Sequence, residues 1–374
     1  SLTISSNPTN VSMVSKLVDR HLHGTHTRTV LALIKRNFVL LLLVWALSSV
    51  VLSLVGVIAY NVGFGDGRQL SSPLMGLTLD CPKNPFTSRQ GDPVILNDFV
   101  GPPDPTTITS KLGSTREGDT KWCSNYLQQM AELPYRRHRK QWEFCWIARV
   151  VDHFGKLGLG HKGLGFAVGT EPLASFFVKR GVEVVVTDMP TIGRAHVDWA
   201  STDQHSARLN DTWKAAVVDW ALYHRNTRFH PVDMNKLPTY LLQEGFDFVW
   251  SSSSLEHVGP GHGGVEMGMH FIINAMRALK VGGVAVHTTE FLLSSLDKVH
   301  ERRHFVVWRK QDVERLAECL SKEGYQLLPV DWRAGEGPSE LEVDTIPYKP
   351  SNHYKLRIEN IIHTSIGLVI LRTQ

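Results

Sequence analysis

The chain has 374 residues, enough to bury a sizeable core in one large domain or two smaller ones. With 42% hydrophobic and 20% charged residues and no repeat or low-complexity block, its composition excludes a disordered, fibrous or solenoid protein. The formal net charge of +4 is local: Lys16, Arg20, Arg28, Lys35 and Arg36 against Asp19 supply all of it before Phe38, so no nucleic-acid-binding face is expected.

Residues 1–37 are this basic segment. Phe38 to Tyr60, FVLLLLVWALSSVVLSLVGVIAY, is an uncharged run of 23 residues. At about 1.5 Å per residue it is long enough for the roughly 30 Å hydrocarbon core of a bilayer, and it predicts one transmembrane helix. Lys35 and Arg36 precede the run and nearly neutral residues follow it, which puts the N-terminus in the cytosol; taken literally the same rule places the remainder in a lumen, periplasm or similar space, at odds with an enzyme that uses a cytosolic cofactor, so the compartment of the C-terminal domain stays open.

Residues 61–118 are rich in Pro, Gly, Ser and Thr and read as a linker and irregular apron. Residues 119–374 form the expected globular domain. Lys121 to Phe154 carries an apolar helical stripe through Trp142, Trp146 and Val150. A strand–helix alternation follows: Gly163 to Val168, Pro172 to Arg180, Val182 to Thr187, Phe246 to Trp250, a helix ending near Lys280, then Val284 to Thr288. This order predicts a parallel sheet covered by helices on both faces, with β-rich pieces at Tyr325 to Val330 and Ile361 to Leu371.

The four cysteines, Cys81, Cys123, Cys145 and Cys319, contain no C-x-x-C pair, which argues against a cysteine zinc cluster. Cys81 and Cys123 flank the irregular stretch and are candidates for pairing in an oxidising lumen, whereas Cys145 and Cys319 read as core thiols.

Gly163-Leu-Gly-Phe-Ala-Val-Gly169-Thr-Glu171 closes one strand and opens a helix. Small residues are expected there because a ligand lying against the backbone leaves no room for Cβ. Asp188 ends the next strand, 19 residues after Gly169, where a carboxylate can accept from both hydroxyls of a ribose. Asp233-Met234 sits at the end of the third strand, suited to an adenine amino group and ring. Phe246 to Trp250 then leads into Ser251-Ser-Ser-Ser-Leu-Glu-His257 and later Leu279-Lys-Val-Gly-Gly283.

This series resembles the class I S-adenosylmethionine-dependent methyltransferases. Arg139-Lys-Gln-Trp-Glu-Phe144, Leu164-Gly-Phe166, Glu171-Pro-Leu173, Asp203-Gln-His205, His287-Thr-Thr-Glu290 and Thr364-Ser-Ile-Gly-Leu368 resemble a bacterial-type family within it, over roughly Arg139 to Arg372. The resemblance implies a Rossmann-like doubly wound α/β sheet, here preceded by the transmembrane helix. It also implies S-adenosylmethionine as cofactor and glycan modification as the setting. It assigns Gly165, Ala167, Gly169 and Glu171 to the methionine part of the cofactor, Asp188 to the ribose, and Asp233 with Met234 to adenine. Ala167 departs from the pattern, standing where the family has a glycine.

Methyl transfer to a hydroxyl gains from a base at the carboxyl ends of the fourth and fifth strands, so Glu256, His257, His287 and Glu290 are the candidate catalytic groups. A structural hydrogen-bonding role is the competing reading of each. His205, His257, His287, Glu290 and His353 lack the spacing of a metal site, and no metal is expected. Gly259 to Gly264 reads equally as a lid or an exposed loop.

The sequons Asn10-Val-Ser12 and Asn210-Asp-Thr212 fall on opposite sides of a single span, so both cannot be lumenal. The expected partners are a lipid bilayer and a glycan or small-molecule acceptor. The alternatives are a non-catalytic methyltransferase-like subunit of a membrane assembly and a nicotinamide-dependent oxidoreductase, whose G-x-G-x-x-G spacing Gly163, Gly165 and Gly169 do not fit.

Overall fold

The computed structural model describes residues 93–191, 204–259, 264–294, 300–301, 305–349 and 352–374. The basic segment, the expected span Phe38 to Tyr60, Cys81 and the Asn10 sequon lie outside the described residues, and so does most of the apron. Among the described residues no helix is long and apolar enough to cross a membrane.

In chain order the elements begin with β1 (Ser110–Leu112), α1 (Thr115–Gly118), α2 (Lys121–Gln129), α3 (Arg139–His153), β2 (Lys162–Gly165), α4 (Leu173–Lys179) and β3 (Glu183–Asp188). There follow α5 (Trp220–Asn226), β4 (Thr227–Pro231), α6 (Thr239–Gln243), β5 (Phe246–Ser251), α7 (Val265–Met276) and β6 (Leu279–Leu292). A short antiparallel pair, β7 (His300–Glu301) and β8 (Val306–Val307), precedes α8 (Lys310–Lys322). The chain then adds β9 (Tyr325–Leu327), β10 (Val330–Asp331), β11 (Val343–Thr345), β12 (Lys355–Ile358) and β13 (Ile361–Arg372).

Strands β4, β3, β2, β5 and β6 lie side by side and parallel. Numbered from β2 they run 3-2-1-4-5, the order of a doubly wound Rossmann-like sheet. β13 is then added antiparallel to β6 over nine residue pairs. The far edge of β13 is shared along its length by β12, β1 and β9.

β1 comes from the stretch expected to be an apron. It enters the sheet because Ser110, Lys111 and Leu112 are all buried there, Lys111 by pairing with Glu117 at 2.9 Å. The domain therefore begins upstream of residue 119. The Pro- and Gly-rich composition around it describes only the loops that flank this short strand.

The sheet is covered on both faces. α7 and α8 pack Met269, Phe271, Ile272, Val313 and Leu316 on one side. α3, α4 and α5 pack Trp142, Trp146, Phe176, Phe177 and Tyr223 on the other. The α3 stripe forms because Trp142 and Trp146, one turn apart, stack with ring centroids 5.5 Å apart. Gly367 of β13 makes the room for this stack: a Cβ there would stand 2.4 Å from the Trp146 ring.

The single helical stretch expected from Lys121 to Phe154 is two helices, α2 and α3, joined by a disulfide between Cys123 and Cys145. Cys319 is also disulfide-bonded. The readings of Cys145 and Cys319 as plain thiols and of Cys123 as a partner for Cys81 are corrected accordingly. An apolar helical pattern looks the same whether its sulfur is a thiol or a bridge.

Candidate functional site

Chain order along the sheet reverses between β2 and β5, and the crevice beyond the carboxyl ends of such strands is where doubly wound sheets bind ligands. A cavity of about 410 Å³ lies there. Its floor is the turn after β2. Phe166 N–H donates to Trp250 O at 2.9 Å and Val168 N–H to Thr187 O at 3.0 Å, which ties the turn to both neighbouring strands. Between and beside these ties, Ala167 (φ 46°) and Gly169 (φ 51°) adopt the left-handed conformation. Gly169 admits no side chain at all, since a Cβ would stand 2.3 Å from Gln204 O.

Asp188 ends β3 with its carboxylate accepting from the amides of Met189 (2.7 Å), Ser206 (2.9 Å) and Gly169 (3.1 Å). Burial pushes its carboxyl upward, and these amides pull against that. A carboxylate offers about four lone-pair positions, so three amides do not exhaust it. Asp233 follows β4 and holds Asn235 through its backbone N–H at 2.9 Å, with Met234 buried beside it.

Ala167, Gly169, Glu171, Asp188, Asp233 and Met234 all line the cavity. Gly165 does not. It sits within the sheet, where a Cβ would come 2.4 Å from the Trp250 ring, so its small size serves strand packing rather than a ligand. Glu171 accepts from the Trp250 indole Nε1 at 2.7 Å, and its removal from water pushes its carboxyl up to about 8.

Beyond the end of β5 the lining includes Ser252, Ser253, Ser254 and His257, and Lys140 and Phe144 from α3, Glu132 and Lys214 line the cavity as well. Of the expected catalytic groups only His257 lines this space. His287 is fully buried in β6 with Nδ1 2.8 Å from Ser251 Oγ, and burial drives it down to about 3, so it is a neutral sheet residue. Its place in the chain predicts the strand end, but its side chain belongs to the layer beneath. Glu256 and Glu290 are buried behind the wall.

They join a polar cluster. Arg139 bridges Glu290 and Glu143, and Glu290 also pairs with His363 Nδ1. Glu143 accepts from Ser252 (3.1 Å), Ser253 (2.7 Å) and Thr288 (3.2 Å) and from Ser365. Burial opposes ionisation of Glu290, but Arg139 and His363 outweigh it and hold the carboxyl at about 2. Glu256, buried beside that negative charge, is pushed up to about 8 and accepts from Thr289 Oγ1 at 3.1 Å. Of the two carboxyls, Glu290 is therefore the one that ionises first and Glu256 the one that keeps its proton to higher pH. The Glu256 carboxyl is 4.0 Å from His257 Nε2.

The residues weighed as metal ligands are dispersed. His205 bonds the Met189 carbonyl at 2.8 Å and lines the cavity, while His353 pairs with Asp344 at 2.8 Å. Among the described residues no three His, Cys, Asp or Glu side chains are arranged to hold a metal. Residues 260–263 of the glycine-rich loop lie outside the described residues.

Lys140, Phe144, Glu132 and Lys214 were not expected at the site. They precede the glycine turn or fall between strands; only the Arg139 to Phe144 phrase marked two of them, and it carried no role.

No protein-family model and no curated protein matches the chain. Among solved structures it is similar to a TehB-like S-adenosylmethionine-dependent methyltransferase from Corynebacterium glutamicum: 16% identity, 67% of this chain, 97% of that one, TM-score 0.33. It is likewise similar to an S-adenosylmethionine-dependent methyltransferase from Clostridium acetobutylicum (12% identity, 68% and 98% covered, TM-score 0.35). A third is a magnesium protoporphyrin IX methyltransferase from Synechocystis with bound S-adenosylmethionine (11% identity, 67% and 85% covered, TM-score 0.34). At scores of this size the likeness adds no weight; fold and function rest on the sheet order and the cavity.

Proposed function

We propose that the chain is an S-adenosylmethionine-dependent methyltransferase, held to a membrane by Phe38 to Tyr60, that methylates an oxygen of a glycan or small-molecule acceptor. The observation that carries this reading is the convergence of six positions from three strand ends on one cavity at the reversal point of the sheet. Their chemistry fits the cofactor. Glu171 is a carboxylate for an amino group, Asp188 an acceptor for ribose hydroxyls, Asp233 an acceptor for an exocyclic amine, and Met234 an apolar surface for a ring.

When bound, S-adenosylmethionine supplies an electrophilic methyl group on a positively charged sulfur. The protein's part is to orient the acceptor and take its proton. Ser254 and Lys140 can donate to an acceptor's hydroxyl or anionic groups, while Ser252 and Ser253, whose protons go to Glu143, can only accept from a hydroxyl. His257 is the residue placed to receive the hydroxyl proton, with neutral Glu256 behind it adding no second negative charge.

The test is calorimetric titration of the full chain in detergent with S-adenosylmethionine, alongside Asp188→Ala. Micromolar binding is expected, weakened at least about a hundredfold in the variant, since two hydrogen bonds to a charged acceptor contribute roughly 1.5–3 kcal/mol each. Absence of binding by well-folded protein overturns the reading and favours a non-catalytic subunit.

A further inference from the structure

We propose that this domain matures in an oxidising, glycosylating lumen and carries an N-linked glycan on Asn210. Three independent observations point the same way. The first is the Cys123–Cys145 disulfide. Both sulfurs are fully buried, packed with Leu127 and against Trp122, Tyr126 and Tyr135. A thiol pair that regulates by redox exchange has to be reached by its partner, so a bridge sealed in the core is a structural one. Structural disulfides persist in secretory compartments and are rare in the cytosol. Cys319, from the other face of the sheet, is bridged as well.

The second observation is the sequon itself. Asn210 lies in a short 3-10 turn, Leu209–Thr212, where it is exposed and its side-chain amide makes no hydrogen bond among the described residues. Thr212 is the reverse: its hydroxyl is buried, 2.8 Å from Leu209 O and 2.6 Å from the Tyr223 hydroxyl. A transferase needs access to both residues, so the glycan is added before this turn closes against α5. The closed turn then leaves Asn210 pointing outward, where a bulky sugar is tolerated.

The third is the charge pattern around Phe38 to Tyr60, which places everything after the span on the non-cytosolic side, Cys123, Cys145 and Asn210 together. The same pattern leaves Asn10 in the cytosol and unmodified, an internal control.

The chemistry needs a lipid-pyrophosphate-linked oligosaccharide. Asn210 Nδ2 forms a bond to the sugar's anomeric carbon and that carbon's bond to the pyrophosphate oxygen breaks. The pyrophosphate leaves with the electron pair, and the amide proton passes to a base. Disulfide formation removes two electrons and two protons from Cys123 and Cys145, delivered to an oxidised thiol–disulfide donor.

The experiment expresses the full chain in a eukaryotic cell and compares gel mobility with and without peptide N-glycosidase, for the parent, Asn210→Gln and Asn10→Gln. The parent and Asn10→Gln should each show one enzyme-sensitive shift, and Asn210→Gln none. Because Asn210 is exposed, Asn210→Gln should keep the parent's protease resistance, which separates loss of the glycan from loss of fold. Maleimide should label Cys123 and Cys145 only after denaturation with reductant. A glycan lost in Asn10→Gln, no glycan at all, or labelling of these cysteines on denaturation without reductant overturns the proposal.

Discussion

The two halves of the cavity are built by different rules. The half at the ends of β2, β3 and β4 takes its shape from backbone turns and from side chains within a few residues of a strand end: Gly169, Glu171, Asp188, Asp233. The half beyond the end of β5 takes its shape from a buried ionic lattice whose members, Arg139, Glu143, Ser253, Glu290 and Ser365, come from α3, the loop after β5, β6 and β13. A binding surface made locally tolerates change one residue at a time. One held by a distributed lattice fails as a unit.

Glu143→Ala gives the largest contrast. It removes an acceptor shared by Arg139 and four hydroxyls in a buried site. Breaking a buried pair costs about 3–5 kcal/mol. Chemical denaturation should show that loss; a stability unchanged within about 0.5 kcal/mol would mean that the lattice does not support its half of the cavity.

At the other half the effect is on affinity, and it depends on pH. Glu171 titrates at about 8 in the free protein, and a cationic ligand favours its ionised form. The complex therefore releases a proton below that pH. S-adenosylmethionine affinity should rise about tenfold per pH unit between 6 and 8 and level off above, each unit being worth about 1.4 kcal/mol. Glu171→Gln should bind weakly and without that slope. A parallel slope in the variant would transfer the effect to another group.

The smallest effect is expected at Ala167. At φ 46° it pays a left-handed penalty that glycine avoids, about 1–2 kcal/mol for a residue with a Cβ, part of which glycine's greater unfolded-state freedom cancels. Ala167→Gly should stabilise the protein by up to about 1 kcal/mol and leave cofactor affinity within about threefold. A large gain in affinity would show instead that the methyl group obstructs the ligand.

The same division decided what the sequence made legible. Strand ends and the residues just after them could be read from alternation and turn chemistry, and six of seven expected cofactor contacts line the cavity. Gly165 was misplaced because a glycine kept for an aromatic neighbour across the sheet looks identical to one kept for a ligand. Lys140 and Phe144 could not be assigned a place, since helix periodicity reports burial and not which neighbour does the burying. His287 falls in the expected strand and Glu290 just past its expected end, because β6 runs on to Leu292, and alternation along a strand interior does not tell which polar residues reach the cavity and which lock into the layer below.

The insertion of β13 sets a timing problem for the cell. Leu112 of β1 pairs with Ile366, a partner 254 positions further along the chain. At synthesis rates of about 5–20 residues per second, β1 waits roughly 13–50 s between leaving the ribosome and the arrival of the strand that covers it. For most of that interval neither of its neighbours in the sheet, β10 and β13, yet exists, and its backbone edge is open to any other extended segment. Translation speed and chaperone supply, rather than the finished molecule's stability, then govern how much of this protein reaches its native state.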